Sequence, residues 1–275
     1  MRVSIIGGGV YGSAVAYFFE RFGDEDVHLF DRGTIAEGST EKSAAIVRQH
    51  YSNEAHLRLA KRGRDVLANF EEYVGRDGGY VENGYLLLAG EDNKTALREN
   101  VALGRGVGVD VELLAPEEIS RRVPALAVDD VAVGAIERDS GFADPVAVTQ
   151  GFVEAARESG TDVHTNTPVT DVETDGRRPT RIRTTDGAFE TDYVVNAAGP
   201  WGAAVGSMIG LDLPLSWHES KMAELESSPP YEPDLPTVSD VDLGLYAKPE
   251  TTGHFVAGGR TGSGAAGGPS IPAPG

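Results

Sequence analysis

The sequence predicts a mixed α/β chain, tending to α+β: a parallel βαβ unit at the N-terminus, with an α+β block set inside it. Three observations carry this. A glycine-rich turn, Gly7-Gly8-Gly9-Val10-Tyr11-Gly12, joins a short apolar strand to an amphipathic helix. From residue 53 to residue 140, helices and short strands alternate in a block that reads as an insertion. A second apolar strand, Asp192 to Asn196, then runs into Ala197-Ala198-Gly199-Pro200-Trp201-Gly202 and a helix.

The first unit is the most explicit. Arg2 to Ile6 reads as a buried strand. The helix after the turn has apolar positions at Val10, Ala14, Val15, Phe18, Phe19 and Phe22, and Gly23-Asp24 ends it. Val27 to Phe30 is the next strand, and it stops on Asp31. This is a dinucleotide fingerprint in the order the physics requires. Gly7 allows the tight turn, Gly9 lets a backbone approach a pyrophosphate, and Gly12 lets helix and strand pack closely. The helix N-terminus offers free N–H groups and a positive dipole end to phosphates. Asp31 lies where a carboxylate would accept the hydroxyls of an adenosine ribose. A βαβ unit without a ligand remains the plain structural alternative, and the unit alone does not choose between NAD and FAD.

At 275 residues the chain can bury a sizeable core and divide into two domains. No run approaches the length of a membrane helix, and glycines interrupt the apolar N-terminus, so no signal peptide is read and a cytoplasmic location is expected. The chain has no cysteine, which excludes disulfides, thiolate zinc sites and thiol catalysis. Its six histidines show no metal-ligand spacing, so no metal is expected. The net charge is −19, and only Lys42, Lys61, Lys94, Lys221 and Lys248 are lysines. With no basic patch, nucleic acid is not an expected partner. An acidic, lysine-poor, Ala/Gly/Val-rich chain resembles proteins of salt-loving archaea, against the alternative of an ordinary acidic cytoplasmic protein.

After Asp31, Arg32 to Tyr51 is rich in small and hydroxyl residues before a short apolar run and Arg48. Small side chains let a backbone lie close to a flat ligand, and a long ordered loop usually implies function. Asn53 to Val74 reads as one helix, and Tyr80 to Ala89 as a strand pair turning at Glu82-Asn83-Gly84. Lys94 to Gly104 and the stretch from Pro116 to Arg122 read as helices, and Val109 to Leu114 and Val131 to Ile136 as strands. Asp144 and Pro145 open a helix as N-cap and first-turn proline, running to about Glu158. Val163 to Thr165 is a strand, and Val169 to Glu173, Arg181 to Thr185 and Ala188 to Glu190 form a small antiparallel layer. A helix covers Ala203 to Ile209. Leu213 to Glu226 reads as strand, and Leu243 to Gly259 as a hairpin extending the inserted sheet. Residues 260–275, Gly, Pro, Ala and Ser with little to bury, read as disordered.

Three motifs, GGGVYGS at 7–13 with Asp31, GSTEKSAAIVRQHYS at 38–52 and VVNAAGPWG at 194–202, carry a resemblance over residues 1–259. The chain resembles the FAD-dependent amine and amino-acid oxidoreductases related to sarcosine oxidase, glycine oxidase and D-amino-acid oxidase. The resemblance implies a Rossmann-like FAD-binding domain (1–52 and 141–212) interrupted by a substrate domain with a mostly antiparallel sheet (53–140 and 213–259). It implies that Gly7, Gly9, Val10, Tyr11 and Gly12 hold the pyrophosphate, Asp31 the ribose, and that Arg32 lies near the adenosine. Ser39, Thr40, Ser43, Ala44 and Ala45 would line the ribityl chain and flavin. Val169 would meet the adenine through its backbone, and Ala198, Gly199 and Trp201 would close over the cofactor. Core packing is the plainer reading of Trp201.

The implied chemistry is oxidation of the C–N bond of a small secondary amine or amino acid to an imine. A substrate carboxylate needs a cation, and Arg48 is the first candidate. His50 and Tyr246 are further candidates, against a structural arginine, a surface histidine and a packed sheet tyrosine. Oxygen-using members carry a lysine where this chain has His254 to Ala257, and Lys248 is on the other strand, which leaves oxidase versus dehydrogenase open with a lean toward a dehydrogenase with a separate electron acceptor. The family's C-terminal flavin-covering segment has no counterpart, and the chain reads as truncated. The alternatives are a non-catalytic FAD- or nucleotide-binding fragment or subunit that needs a partner and, with less support, an NAD-dependent dehydrogenase.

A surface this acidic repels itself unless salt screens it. Dialysis from molar salt into dilute buffer is expected to unfold the chain, read as loss of the far-ultraviolet circular dichroism signal.

Overall fold

The computed structural model describes residues 1–216, 220–226, 228 and 235–259. The predicted disordered tail, 260–275, lies outside them. β1 (Arg2–Ile6), α1 (Val10–Phe22) and β2 (Asp26–Phe30) form the predicted βαβ unit. The chain continues through β3 (Ile46–Val47), α2 (Glu54–Ala68), α3 (Phe70–Val74), β4 (Tyr85–Ala89), α4 (Lys94–Gly106), β5 (Val111–Leu114), α5 (Pro116–Arg122), β6 (Val133–Glu137) and β7 (Gly141–Phe142). Then come α6 (Pro145–Ser159), β8 (Asp162–His164), β9 (Val169–Thr174), β10 (Pro179–Thr184), β11 (Gly187–Glu190) and β12 (Tyr193–Asn196). A 3₁₀ turn, Gly199–Trp201, leads into α7 (Gly202–Ser207). The described chain closes with β13 (Lys221–Glu226), β14 (Thr237–Asp240), β15 (Leu245–Pro249) and β16 (His254–Gly259).

β12, β1, β2 and β8 make a parallel four-stranded sheet. Val3, Ile5, Val27 and Leu29 point to one face, where Ala16 and Tyr17 of α1 and Phe152 and Ala156 of α6 cover them. Ile6 and Phe30 point to the other, under Val169, Val172 and Ile182 of the β9–β10–β11 layer. Burial on both faces explains why apolar residues stand at successive positions in Ile5-Ile6 and Leu29-Phe30.

The larger sheet has seven strands in the order β13-β16-β15-β14-β4-β6-β5. All its pairs are antiparallel except β14 with β4. α2 and α4 pack on one face over Tyr85, Leu87 and Ala135. The opposite face holds Leu86, Leu88 and Leu114 with Ile119 of α5. A two-stranded ribbon, β3 with β7, stands apart from both sheets.

Several local expectations change. The predicted helix from Asn53 to Val74 is two helices, because Asn69 leaves helical geometry and its side-chain amide donates to the Asp65 carbonyl at 2.8 Å. Tyr80 to Ala89 is not a hairpin. Val81 bridges Phe142 instead, and Gly84 donates to the Ser140 carbonyl, so long-range partners replace the local turn. Among the described residues of Leu213 to Glu226, only Lys221–Glu226 forms a strand, and Leu213 packs beside Gly206. The ribbon and β14 were not predicted. Two residues of ribbon strand are too short to show a period, and β14 gains its place from neighbours distant in sequence.

The Asp144 carboxylate accepts from the backbone N–H groups of Val146 and Ala147 at 2.8 and 2.9 Å, capping α6. D144A is expected to cost about 1 kcal/mol, read as a lower urea midpoint at unchanged slope.

Candidate dinucleotide and substrate site

The cradle forms where β1 ends. Gly7 has φ +114°, and a Cβ there would collide with the Ala197 carbonyl oxygen that follows β12. A Cβ on Gly12 would collide with the Gly7 carbonyl oxygen. Glycine at both positions therefore brings α1 down onto the end of β1. Gly9, the N-cap of α1, has no side chain to close the helix end, and the only atom near its missing Cβ is the Thr40 hydroxyl oxygen at 3.1 Å. That hydroxyl accepts from Val10 N at 3.1 Å. Tyr11 is 81 % exposed, so it brings only its backbone to the first turn. An accessible helix N-terminus edged by a hydroxyl suits a diphosphate.

Asp31 sits at the end of β2 with its carboxylate held from both sides. Oδ2 accepts from Gly8 N at 2.6 Å and Oδ1 from Gly33 N at 2.8 Å. The carboxylate is oriented before any ligand arrives, and each oxygen keeps a second lone pair. Arg32 reaches across the sheet's end, its guanidinium carbon 3.6 Å from the Trp201 ring centroid, a cation–π contact. Trp201 is half-buried and stacks on Arg32 rather than packing in the core. Gly199 opens its turn with φ +54°, and the Ala198 carbonyl accepts from Trp201 N. Val169 begins β9 and is buried in the apolar layer below.

In the loop before the ribbon, Ser39 is exposed and Ser43 Oγ accepts from Ala45 N at 3.0 Å. Ala44 is half-buried. Ala45 holds φ +47°, and its carbonyl accepts from Ala143 N. A left-handed alanine costs of order 1 kcal/mol or more, so the surrounding contacts impose this bend.

The ribbon delivers the next residues to the large sheet. Arg48 is exposed, its guanidinium carbon 5.3 Å from the Tyr51 ring centroid and 5.9 Å from that of Tyr85. His50 is half-buried, and desolvation, with the nearby Arg48 charge, pushes its pKa down to about 4. Its imidazole is therefore neutral at physiological pH. Between them Gln49 is fully buried. Its backbone N–H donates to Glu137 Oε2 at 2.7 Å, as does Ser140 Oγ. Burial raises the Glu137 pKa against the lowering effect of those two hydrogen bonds. Arg64 of α2 reaches the same corner, donating to the Asp139 carbonyl at 2.6 Å and pairing with Glu82 at 2.8 Å. Tyr246 lies on β15, its hydroxyl over Gly258 of β16, and burial raises its pKa.

Sequence reasoning missed Glu137 and Gln49, and it set Lys248 aside as lying on the other hairpin strand. Lys248 is only 6 % exposed, with Nζ 2.7 Å from Glu250 Oε1 and 4.5 Å from the Phe142 ring centroid. Charged residues in short strands read as solvent-facing, and the alternation at Tyr246-Ala247-Lys248 was the one available signal that lysine and tyrosine share a face. Among the described residues no group of three or more histidines and carboxylates is arranged to hold a metal ion. No described helix is long and apolar enough to cross a membrane.

The glycine cradle and the oriented carboxylate at the end of a parallel sheet form a site of the dinucleotide-binding type. Residues 2–274 match the family described as FAD dependent oxidoreductase, DAO, and the chain belongs to it. FAD is the cofactor of that family. The chain is 30 % identical over 256 residues to human sarcosine dehydrogenase, covering 90 % of this chain and 28 % of that protein. It is 26 % identical over 262 residues to the mouse pyruvate dehydrogenase phosphatase regulatory subunit, covering 94 % and 30 %. Among solved structures, L-proline dehydrogenase from P. horikoshii superposes with a TM-score of 0.84 at 25 % identity, over 93 % of this chain and 68 % of that one. The chain thus spans less than a third of the length of these two curated relatives.

With a folded pKa near 4 against an ordinary 6.5, His50 takes up its proton more readily when unfolded. Its contribution to stability is present above about pH 6.5 and is lost as pH falls toward 4. Glu137, raised by burial, works in the opposite direction. H50Q is therefore expected to flatten the acid side of the stability–pH curve relative to wild type, measured as urea midpoints from pH 7 to pH 4.

Proposed function

We propose that the chain binds FAD and oxidises the C–N bond of a small secondary amine or amino acid, acting as a dehydrogenase of the sarcosine or N-methylamine type. The observation that carries this reading is the pair of elements at the sheet ends: a glycine cradle beside an oriented Asp31, and Arg48 over the aromatic face of the large sheet. The backbone of Gly7, Gly9, Val10, Tyr11 and Gly12 would hold the diphosphate. Asp31 would accept from the ribose hydroxyls, and Arg32 with Trp201 would close the adenosine end together with Val169, Ala198 and Gly199. Thr40, Ser39, Ser43, Ala44 and Ala45 would flank the rest of the cofactor. Bound FAD supplies the acceptor for a hydride equivalent. Arg48 would hold a substrate carboxylate by its forked guanidinium. Neutral His50 adds no second positive charge beside the amine, and Tyr246 would offer its hydroxyl from the opposite strand. The resulting imine hydrolyses in water. Likeness to sarcosine dehydrogenase supports the substrate class.

A second reading, a non-catalytic flavin-binding subunit acting with a partner, is favoured by likeness to a protein named as a regulatory subunit. Domain limits of 1–52 with 141–212 and 53–140 with 213–259 follow from the same reading.

The test is the visible spectrum of the purified chain with FAD, followed anaerobically on adding sarcosine, dimethylglycine, L-proline and glycine. Bleaching by one of them is expected, with R48A raising the required concentration about tenfold or more. Bound flavin that none of them reduces supports the second reading, and no bound flavin refutes both.

A further inference from the structure

Opposed residues of neighbouring strands point to the same face of a sheet. The register Gly258↔Tyr246↔Ser239↔Leu87 is one such row, and Val256↔Lys248 begins the next. Tyr246 and Lys248, two residues apart on β15, therefore share the face that also carries Tyr85 and Leu87. Of the five lysines, only Lys248 is buried. Its ammonium bridges Glu250 and the ring of Phe142. Phe142 belongs to β7 and is paired with Ile46 of β3, and β3 leads directly into Arg48. One side chain thus ties the strand that carries Tyr246 to the ribbon that carries Arg48.

Stability alone does not explain this arrangement. Removing the ammonium from water costs several kcal/mol, and its carboxylate partner is only half-buried, with 26 % of the Glu250 side chain exposed; apolar replacements of buried ion pairs are often neutral or stabilising. Methionine has nearly the length of lysine and would satisfy the Phe142 ring at lower cost. What the ammonium adds is direction: it needs the carboxylate on one side and the ring face on the other. Those two demands fix where the β15–β16 hairpin sits along the ribbon.

We propose that Lys248 is a positioning residue: by bridging Glu250 and Phe142 it sets the spacing between Tyr246 and Arg48, and so the width of the gap that holds a small carboxylate-bearing amine. This rests on the proposed amine-oxidising function.

The test uses the full chain loaded with FAD and titrated with methoxyacetate, the non-oxidisable ether isostere of sarcosine, read as a change in the visible flavin band. Thermal melting of the same proteins is the second readout. K248M is expected to melt within a few degrees of wild type while its Kd for methoxyacetate rises about tenfold or more. K248R, which keeps the charge and the ring contact, is expected to recover most of the affinity. E250Q, which strips the carboxylate from a buried ammonium, is expected to melt well below wild type. A K248M chain that binds methoxyacetate as wild type does overturns the positioning role alone. So does a K248M chain that fails to fold, since the pair is then structural. A wild-type chain that takes up no FAD, or whose flavin band ignores methoxyacetate, refutes the functional reading and this proposal with it.

Discussion

The closest backbone approach in the parallel half is the constraint on which the rest depends. Gly12 in the first turn of α1 faces the Gly7 carbonyl, and Gly7 faces the Ala197 carbonyl beyond β12, each at a distance that leaves no room for a Cβ. The first βα turn and the end of β12, about 190 residues apart in sequence, meet within a few atoms. Because helix and strands meet there, the N–H groups of α1, the carboxylate of Asp31 and the turn before Trp201 all open on one edge. A site formed this way needs few dedicated side chains. Backbone direction supplies most of the donors, and Asp31 is oriented by two further N–H groups.

The second constraint is the joint between the sheets. β3 and β7 form only two residue pairs, yet Gln49, Glu137, Ser140, Arg64 and Lys248 all gather around them. Buried polar groups are costly unless partnered, and most atoms of this cluster are partnered, the Gln49 side-chain oxygen excepted. Such a network is sensitive to displacement, because a small shift breaks several directional bonds together. A short ribbon can therefore hold Arg48 against the large sheet with more definition than its length suggests.

The parallel unit was legible because each of its signals is local. Gly7, Gly9 and Gly12 act through their own backbone, the period of α1 is visible within thirteen residues, and Asp144 with Pro145 announces a helix start at one point. Gly7, Gly9, Gly12 and Asp31 lie together at the end of the parallel sheet. The stretch from residue 53 to residue 140 was legible in its helices and in β4 to β6, but less so in its connections. Val81 found Phe142 rather than a hairpin partner, and Asn69 broke a helix by one side-chain hydrogen bond. At the substrate side, residue type drew attention to Arg48 and Tyr246, while nothing in the sequence marked Glu137 and Lys248 as buried.

Composition, period and glycine spacing were enough to specify an α/β chain with a dinucleotide cradle, since these act over one or two turns of backbone. Which strands neighbour one another in the seven-stranded sheet, and which charges that sheet buries, depended on contacts between residues about a hundred or more apart, such as Thr237 with Tyr85 and Lys248 with Phe142. The physical reason is that burial is a property of the assembled layers. A lysine carries the same charge in any tripeptide, but only the packed ribbon and hairpin place it between a carboxylate and a phenyl ring.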